Sequence, residues 1–171
     1  MEENTVKSNK KIFISLSVIL VCFLLDRLSK IYIIEYFMTN DVDNLYINNI
    51  LNLSLIWNKG IAFGFFQSEN FLYEFISLLI FLIILLIIYL IWRTQLILEV
   101  LLYSMVVGGA TGNFFDRIYY KAVPDFIDFH YGSFHWFTFN ISDICISIGI
   151  VFLLIFDIFK INKSDTNLVK K

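Results

Sequence analysis

The sequence predicts an all-α integral membrane protein, a bundle of four transmembrane helices with a small β-strand cradle in its first extracytoplasmic loop. Three observations carry that expectation. Of the 171 residues, 58% are hydrophobic and 16% charged, with a mean hydropathy of +0.75, a usage that belongs to membrane chains rather than soluble ones. Four apolar runs reach the roughly 20 residues needed to cross a hydrocarbon core of about 30 Å. The lysines and arginines between those runs are unequally shared. A single membrane domain over residues 1–171 is expected.

In chain order, the spans are expected at about residues 12–34, 71–92, 96–115 and 141–159, leaving outer loops at 35–70 and 116–140. The first run follows a basic N-terminus, as a secretory signal would. No small-residue cleavage site follows it, and "DRLSK" interrupts its far end, so it reads as a retained helix. One set of flanking segments holds Lys7, Lys10, Lys11, Arg93, Lys160, Lys163, Lys170 and Lys171; the other holds only Lys59, Lys121 and Arg117. This asymmetry assigns both termini to the cytoplasm and both long loops to the outside. The net charge of -2 carries no comparable information, and nothing points to a nucleic-acid partner. Cys22 and Cys145 fall within apolar runs and read as small packing residues.

In the first outer loop, "NILNLSLIWNKGIAFGFF" alternates Leu51, Leu53, Leu55 and Trp57 with Asn52, Ser54 and Ile56. A period of two predicts a strand. Bare sheet edges are not stable in hydrocarbon, so this strand belongs at the outer interface, with Trp57, Phe63, Phe65 and Phe66 at headgroup depth. No internal repeat is present.

Ionisable residues inside membrane helices are functional candidates because each costs on the order of 3 kcal/mol to insert. Asp26 and Lys30 stand four apart in the first helix, suited either to a structural ion pair or to substrate binding. Glu99 and Asp157 lie near cytoplasmic helix ends, where snorkelling or local pairing is expected and no role is assigned. The third helix ends in "VVGGATGNFFDRIYY", whose Gly108, Gly109, Ala110 and Gly112 form a small face for close approach. Asn113, Asp116 and Arg117 then share one side, placed to hold a peptide backbone or simply to solvate a helix end.

The stretch "VPDFIDFHYGSFHWFTFNISD" adds Asp125, Asp128, Asp143, His130 and His135. The spacing matches no common zinc pattern, and no metal site is expected. Ser133 near the histidines has no nucleophile motif around it. Carboxylates remain. Two aspartates held close together cannot both ionise cheaply, so one keeps a proton while the other stays charged. Such a pair can activate water and protonate a scissile carbonyl. Physics supports a dyad here without choosing its members.

"DRLSK", "WNKGIAFGF", "GGATGNFFDR", "VPDFIDF" and "FNISD", in this order, resemble the bacterial lipoprotein signal peptidases, signal peptidase II, across nearly the whole chain apart from the tails. The resemblance implies an aspartic endopeptidase, multi-pass in the bacterial cytoplasmic (inner) membrane, with its active site near the outer face. It would remove signal peptides from diacylglyceryl-modified prolipoproteins just before the lipidated cysteine. The catalytic pair carried over is Asp125 and Asp143, with Asp128 ancillary. Asp26, Lys30, Asn58, Gly60, Asn113, Asp116, Arg117 and Asn140 match positions that shape the site or hold substrate. No cofactor and no metal is implied, membrane lipid and prolipoproteins are the expected partners, and a monomer is expected. Pro124, Ile61, Gly64 and Ser142 depart from the usual family residues, and none of these changes removes a catalytic group. The strand and the "WNKGIAFGF" segment would form a cradle beside the acyl chains. A proton-coupled transporter using Asp26, Asp116 and Asp143 is the competing reading, but polar groups gathered at one face without repeated halves suit surface-depth chemistry better.

Overall fold

The computed structural model of the chain describes residues 8–42, 44–59 and 70–168. Gly60, Ile61, Phe63, Gly64, Phe65 and Phe66, on which the cradle expectation partly rests, lie outside the described residues.

The described chain runs α1 (Ser8–Asn40), β1 (Leu45–Asn48), β2 (Leu51–Asn58), α2 (Asn70–Arg93), α3 (Ile97–Tyr120), β3 (Val123–Tyr131), β4 (Phe134–Phe139) and α4 (Ile141–Leu168). Four helices are long and apolar enough to cross a membrane: Ser8–Asn40, Tyr73–Arg93, Ile97–Tyr120 and Ile141–Phe159. Their outward faces expose Leu20, Leu24, Leu82, Leu86, Val151 and Leu154, as expected of surfaces whose solvent is lipid.

The all-α expectation needs correction. The strands form one antiparallel sheet in the order β1-β2-β3-β4, and half of its strands come from residues 116–140, where the sequence predicts a loop. The signal was hidden because β3 is buried on both faces along most of its length, so "VPDFIDFHY" shows no clean polar and apolar alternation. Pro124 is tolerated near the start of β3, where it pairs with Trp57 of β2, because pairing to β4 begins only at Ile127.

Two helix ends also extend further than their apolar runs. α1 continues to Asn40 because Phe37 and Ile33 are buried with Phe126 of β3, beneath Leu53 and Leu55 of β2. This contact seats the sheet on the helix end. α3 continues to Tyr120 because Asp116 and Arg117 are buried within it rather than released to a loop. It ends at Lys121, in the left-handed region at φ 56°, a common way to stop a helix.

α3 is the hub, packing on α1, α2 and α4. Close approach requires its glycines. A Cβ at Gly108 would stand 2.7 Å from the Cβ of Cys22 on α1, and one at Gly112 would lie 2.6 Å from Asp26 Oδ2 while also striking Ser142 of α4. Gly112 therefore marks the point where three helices meet. At the other end of the bundle, Lys11 is buried and donates to the carbonyls of Trp92 and Thr94 at 2.8 and 3.0 Å, capping the end of α2.

Candidate active site

Asn140 precedes α4 and Asp143 lies three residues on, so the pair can close a helix-start box. The Asp143 N–H donates to Asn140 Oδ1, and the Asn140 N–H donates to Asp143 Oδ2, each at 3.1 Å. This reciprocal cap fixes the Asp143 carboxylate at the positive end of the helix, where negative charge is favoured. Asn113 of α3 donates to its other oxygen at 2.7 Å.

The same Asn140 reaches across to β3. Its Nδ2 donates to Asp125 Oδ1 at 2.6 Å, and Asn58 of β2 donates to Asp125 Oδ2 at 2.9 Å. One asparagine, fully buried, thus holds both aspartates. Asp125 and Asp143 face a cavity of about 530 Å³, which Asn58, Asn113 and Arg117 also line; the Trp136–Phe139 stretch of β4 forms one wall. A second cavity of about 360 Å³ lies between α2, α3 and α4. It is lined by isoleucines and shares Asn113 and Arg117 with the first.

Beneath the dyad sits a buried cluster of four charges. Lys30 Nζ contacts Asp26 Oδ1 at 2.8 Å and Asp116 Oδ2 at 2.6 Å, while Arg27 pairs with both acids and lies over the Phe115 ring. Two acids and two bases leave the cluster neutral, which is what makes burial affordable. Its reach extends to the dyad by two routes. Lys30 donates to Asn113 Oδ1 at 2.9 Å, which turns the Asn113 amide so that its NH2 faces Asp143. Asp26 Oδ1 accepts the Ser142 N–H at 3.0 Å, satisfying a free donor in the first turn of α4.

The structure therefore sets Asn58, Asn113, Arg117, Asp125 and Asp143 around one cavity, with Asn140 bridging the two aspartates, and puts Asp26, Lys30 and Asp116 in the layer behind. Asp128 points elsewhere, to a hydrogen-bonding contact with His135 Nδ1 at 2.8 Å. Gly60 lies outside the described residues.

Residues 18–160 match the model of the family described as signal peptidase (SPase) II. The chain belongs to the signal peptidase II family. It is 45% identical over 155 residues to the lipoprotein signal peptidase of Pelagibacter ubique, covering 90% of this chain and 93% of that one. Identity to the lipoprotein signal peptidase of Anaplasma marginale is 32% over 143 residues, covering 82% and 81%. Two solved structures of bacterial membrane enzymes share the fold, with TM-scores of 0.67 and 0.65 at 23% and 24% identity. They cover 94% and 91% of this chain, and 93% and 96% of their own.

For this signal peptidase II chain, Arg27 is the residue that sequence reasoning passed over, although it stands inside the quoted "DRLSK". A third ionisable side chain within five residues of an apolar helix was the available signal. Ser142 was noted only as a departure, yet its N–H is one of the two anchors of α4 on the charge cluster.

Asp125 lies outside the spans, and its ionisation is displaced. Burial first, and the Asp143 charge second, push its carboxyl from an ordinary 3.8 up to about 7, against the opposing hydrogen bonds of Asn58 and Asn140 and the charge of Lys30. Between those two values the folded chain holds a proton that the unfolded chain has lost. The stability this group confers is therefore present at low pH and falls as pH rises through that window. If Asp125 serves as the proton donor, kcat/KM drops about tenfold per unit above a basic limb near pH 7. Initial rates across pH check this; a profile flat through that region would remove the assignment.

Proposed function

We propose that the chain is a membrane aspartic endopeptidase that cleaves the signal peptide from diacylglyceryl-modified prolipoproteins on the N-terminal side of the lipidated cysteine. The observation that carries this reading is Asn140 holding both Asp125 and Asp143, which line one cavity. Asp143, at the positive end of a helix, is the ionised member; Asp125, pushed up to about 7, keeps the proton.

Water between the two loses a proton to Asp143 as its oxygen attacks the scissile carbonyl carbon, while Asp125 delivers its proton to the carbonyl oxygen. A gem-diol results. Its collapse breaks the C–N bond: Asp143 returns its proton to the leaving nitrogen, and one diol hydroxyl returns a proton to Asp125. The dyad ends as it began, and neither metal nor cofactor enters this chemistry. Arg117 and Asn113, at the junction of the two cavities, hold the substrate backbone. The isoleucine-lined cavity then receives the apolar segment of the signal peptide.

Excess lysine and arginine at the termini and the α2–α3 connection support a placement of the sheet on the outer side of the inner membrane. This is the depth of a diacylglyceryl-anchored cysteine. Exposed aromatic side chains on the hairpin, Tyr131, Phe134 and Trp136, suit an interfacial position. The working unit is a monomer, and one domain carries the whole site.

Purified protein in bicelles, given lipidated and unlipidated forms of one precursor, is expected to cleave only the lipidated form, next to the modified cysteine. Equal cleavage of both would reject the lipid-directed reading.

A further inference from the structure

The outer half of the β3–β4 hairpin holds a cluster that the peptidase reading does not use. His130 of β3 lies directly opposite His135 of β4, their rings stacked at 5.3 Å between centroids. Asp128, buried on β3, contacts His135 Nδ1 through both oxygens at 3.1 and 2.8 Å. One donor atom from each of Asp128, His130 and His135 lies within 4.8 Å of the others. A shift of strand register falls between Asp128 and His130, the kind of irregularity that re-aims side chains.

The contact between Asp128 and His135 accounts for those two residues alone. Two further polar atoms in the neighbourhood are buried with no hydrogen-bond partner: His130 Nδ1, and Oδ1 of Asn52, which stands opposite Asp128 on β2. Leaving buried acceptors unmade costs about 1–3 kcal/mol each, and a cation supplies what both lack. The His135 side chain is 51% exposed, so an ion can enter from solvent.

We propose that Asp128, His130 and His135 bind a divalent transition-metal ion of zinc-like character, with the fourth position taken by water or by Asn52 Oδ1. Two imidazoles and a carboxylate form a donor set suited to such ions and poorly suited to calcium or magnesium. Tetrahedral bonds of about 2.0–2.1 Å separate ligand atoms by about 3.3 Å, so small rotations of two imidazoles close the site. The ion fastens β4 to β3 about 10 Å along the strand from Asp125, stiffening the wall that β4 gives the cavity. It takes no part in peptide cleavage.

The test is zinc titration of tag-free protein in bicelles by calorimetry, with Co²⁺ absorption as a second readout. One equivalent is expected to bind, and Co²⁺ is expected to give the visible bands of a tetrahedral site. His130→Gln and His135→Gln should each weaken binding by about tenfold or more. Retained cleavage by these variants shows that they are folded. Asp143→Asn, outside the cluster, should bind as the parent does. Absence of saturable binding by the parent protein, or undiminished binding by the doubly substituted histidine variant, would overturn the proposal.

Discussion

Asp143→Asn is expected to lower kcat for a lipidated prolipoprotein by roughly 10⁴-fold or more while the protein remains folded. The asparagine keeps the shape of the side chain, and its carbonyl oxygen can still accept the Asn140 N–H that closes the helix start. What it lacks is the basicity to take a proton from water. Asp125→Asn should cost as much for the complementary reason, since an amide cannot deliver the proton that the carbonyl oxygen needs. Asp125→Asn also sets an NH2 group against the donors from Asn58 and Asn140, so one of those amides must turn over. Asp128→Asn, by contrast, changes only the hairpin cluster with His130 and His135, away from both aspartates of the pair, and should change kcat by no more than about twofold. Rates on one lipidated precursor measure all three. Near-normal turnover by either dyad variant would refute the assignment.

Lys30→Met is expected to destabilise the fold by about 3–5 kcal/mol, the cost of leaving a buried charge without its partner. Lys30, Asp26 and Asp116 are fully buried, and Lys30 bridges both acids. With methionine there, Arg27 alone faces two carboxylates. Adding Asp116→Asn restores neutrality and should recover much of the loss, a coupling that thermal unfolding in detergent resolves. The single variant should also lose activity, because Asn113 loses the donor that orients it toward Asp143. Equal stability of Lys30→Met and the parent would show that the cluster is not a structural unit.

The helices were legible because hydrocarbon demands long apolar runs, and β2 was legible because its outer-loop sequence alternates. β3 was not, since burial on both faces along most of its length erases alternation, and the exposed aromatic run of β4 carries no polar and apolar alternation either. Asp125 and Asp143 were nominated by motif order, whereas their shared partner Asn140 emerges only when β3 and the start of α4 meet in space. Asp26 and Lys30 could be paired from their spacing. That Asp116 and Arg27 complete a neutral four-charge cluster depends on α1 crossing α3 beside Gly112, which spacing within either helix cannot reveal. His130 and His135 lie five apart, a separation that means nothing until a hairpin turn sets them opposite each other.

Cleavage of a lipid-anchored peptide by two aspartates held by Asn140 is read out by following one precursor, with and without its diacylglyceryl group, through mass spectrometry after incubation with the parent protein and with Asp143→Asn. A single cut before the lipidated cysteine is expected from the parent protein, and no cut of either precursor from the variant. Cleavage of the unmodified precursor at a comparable rate, or continued cleavage by Asp143→Asn, would contradict this reading.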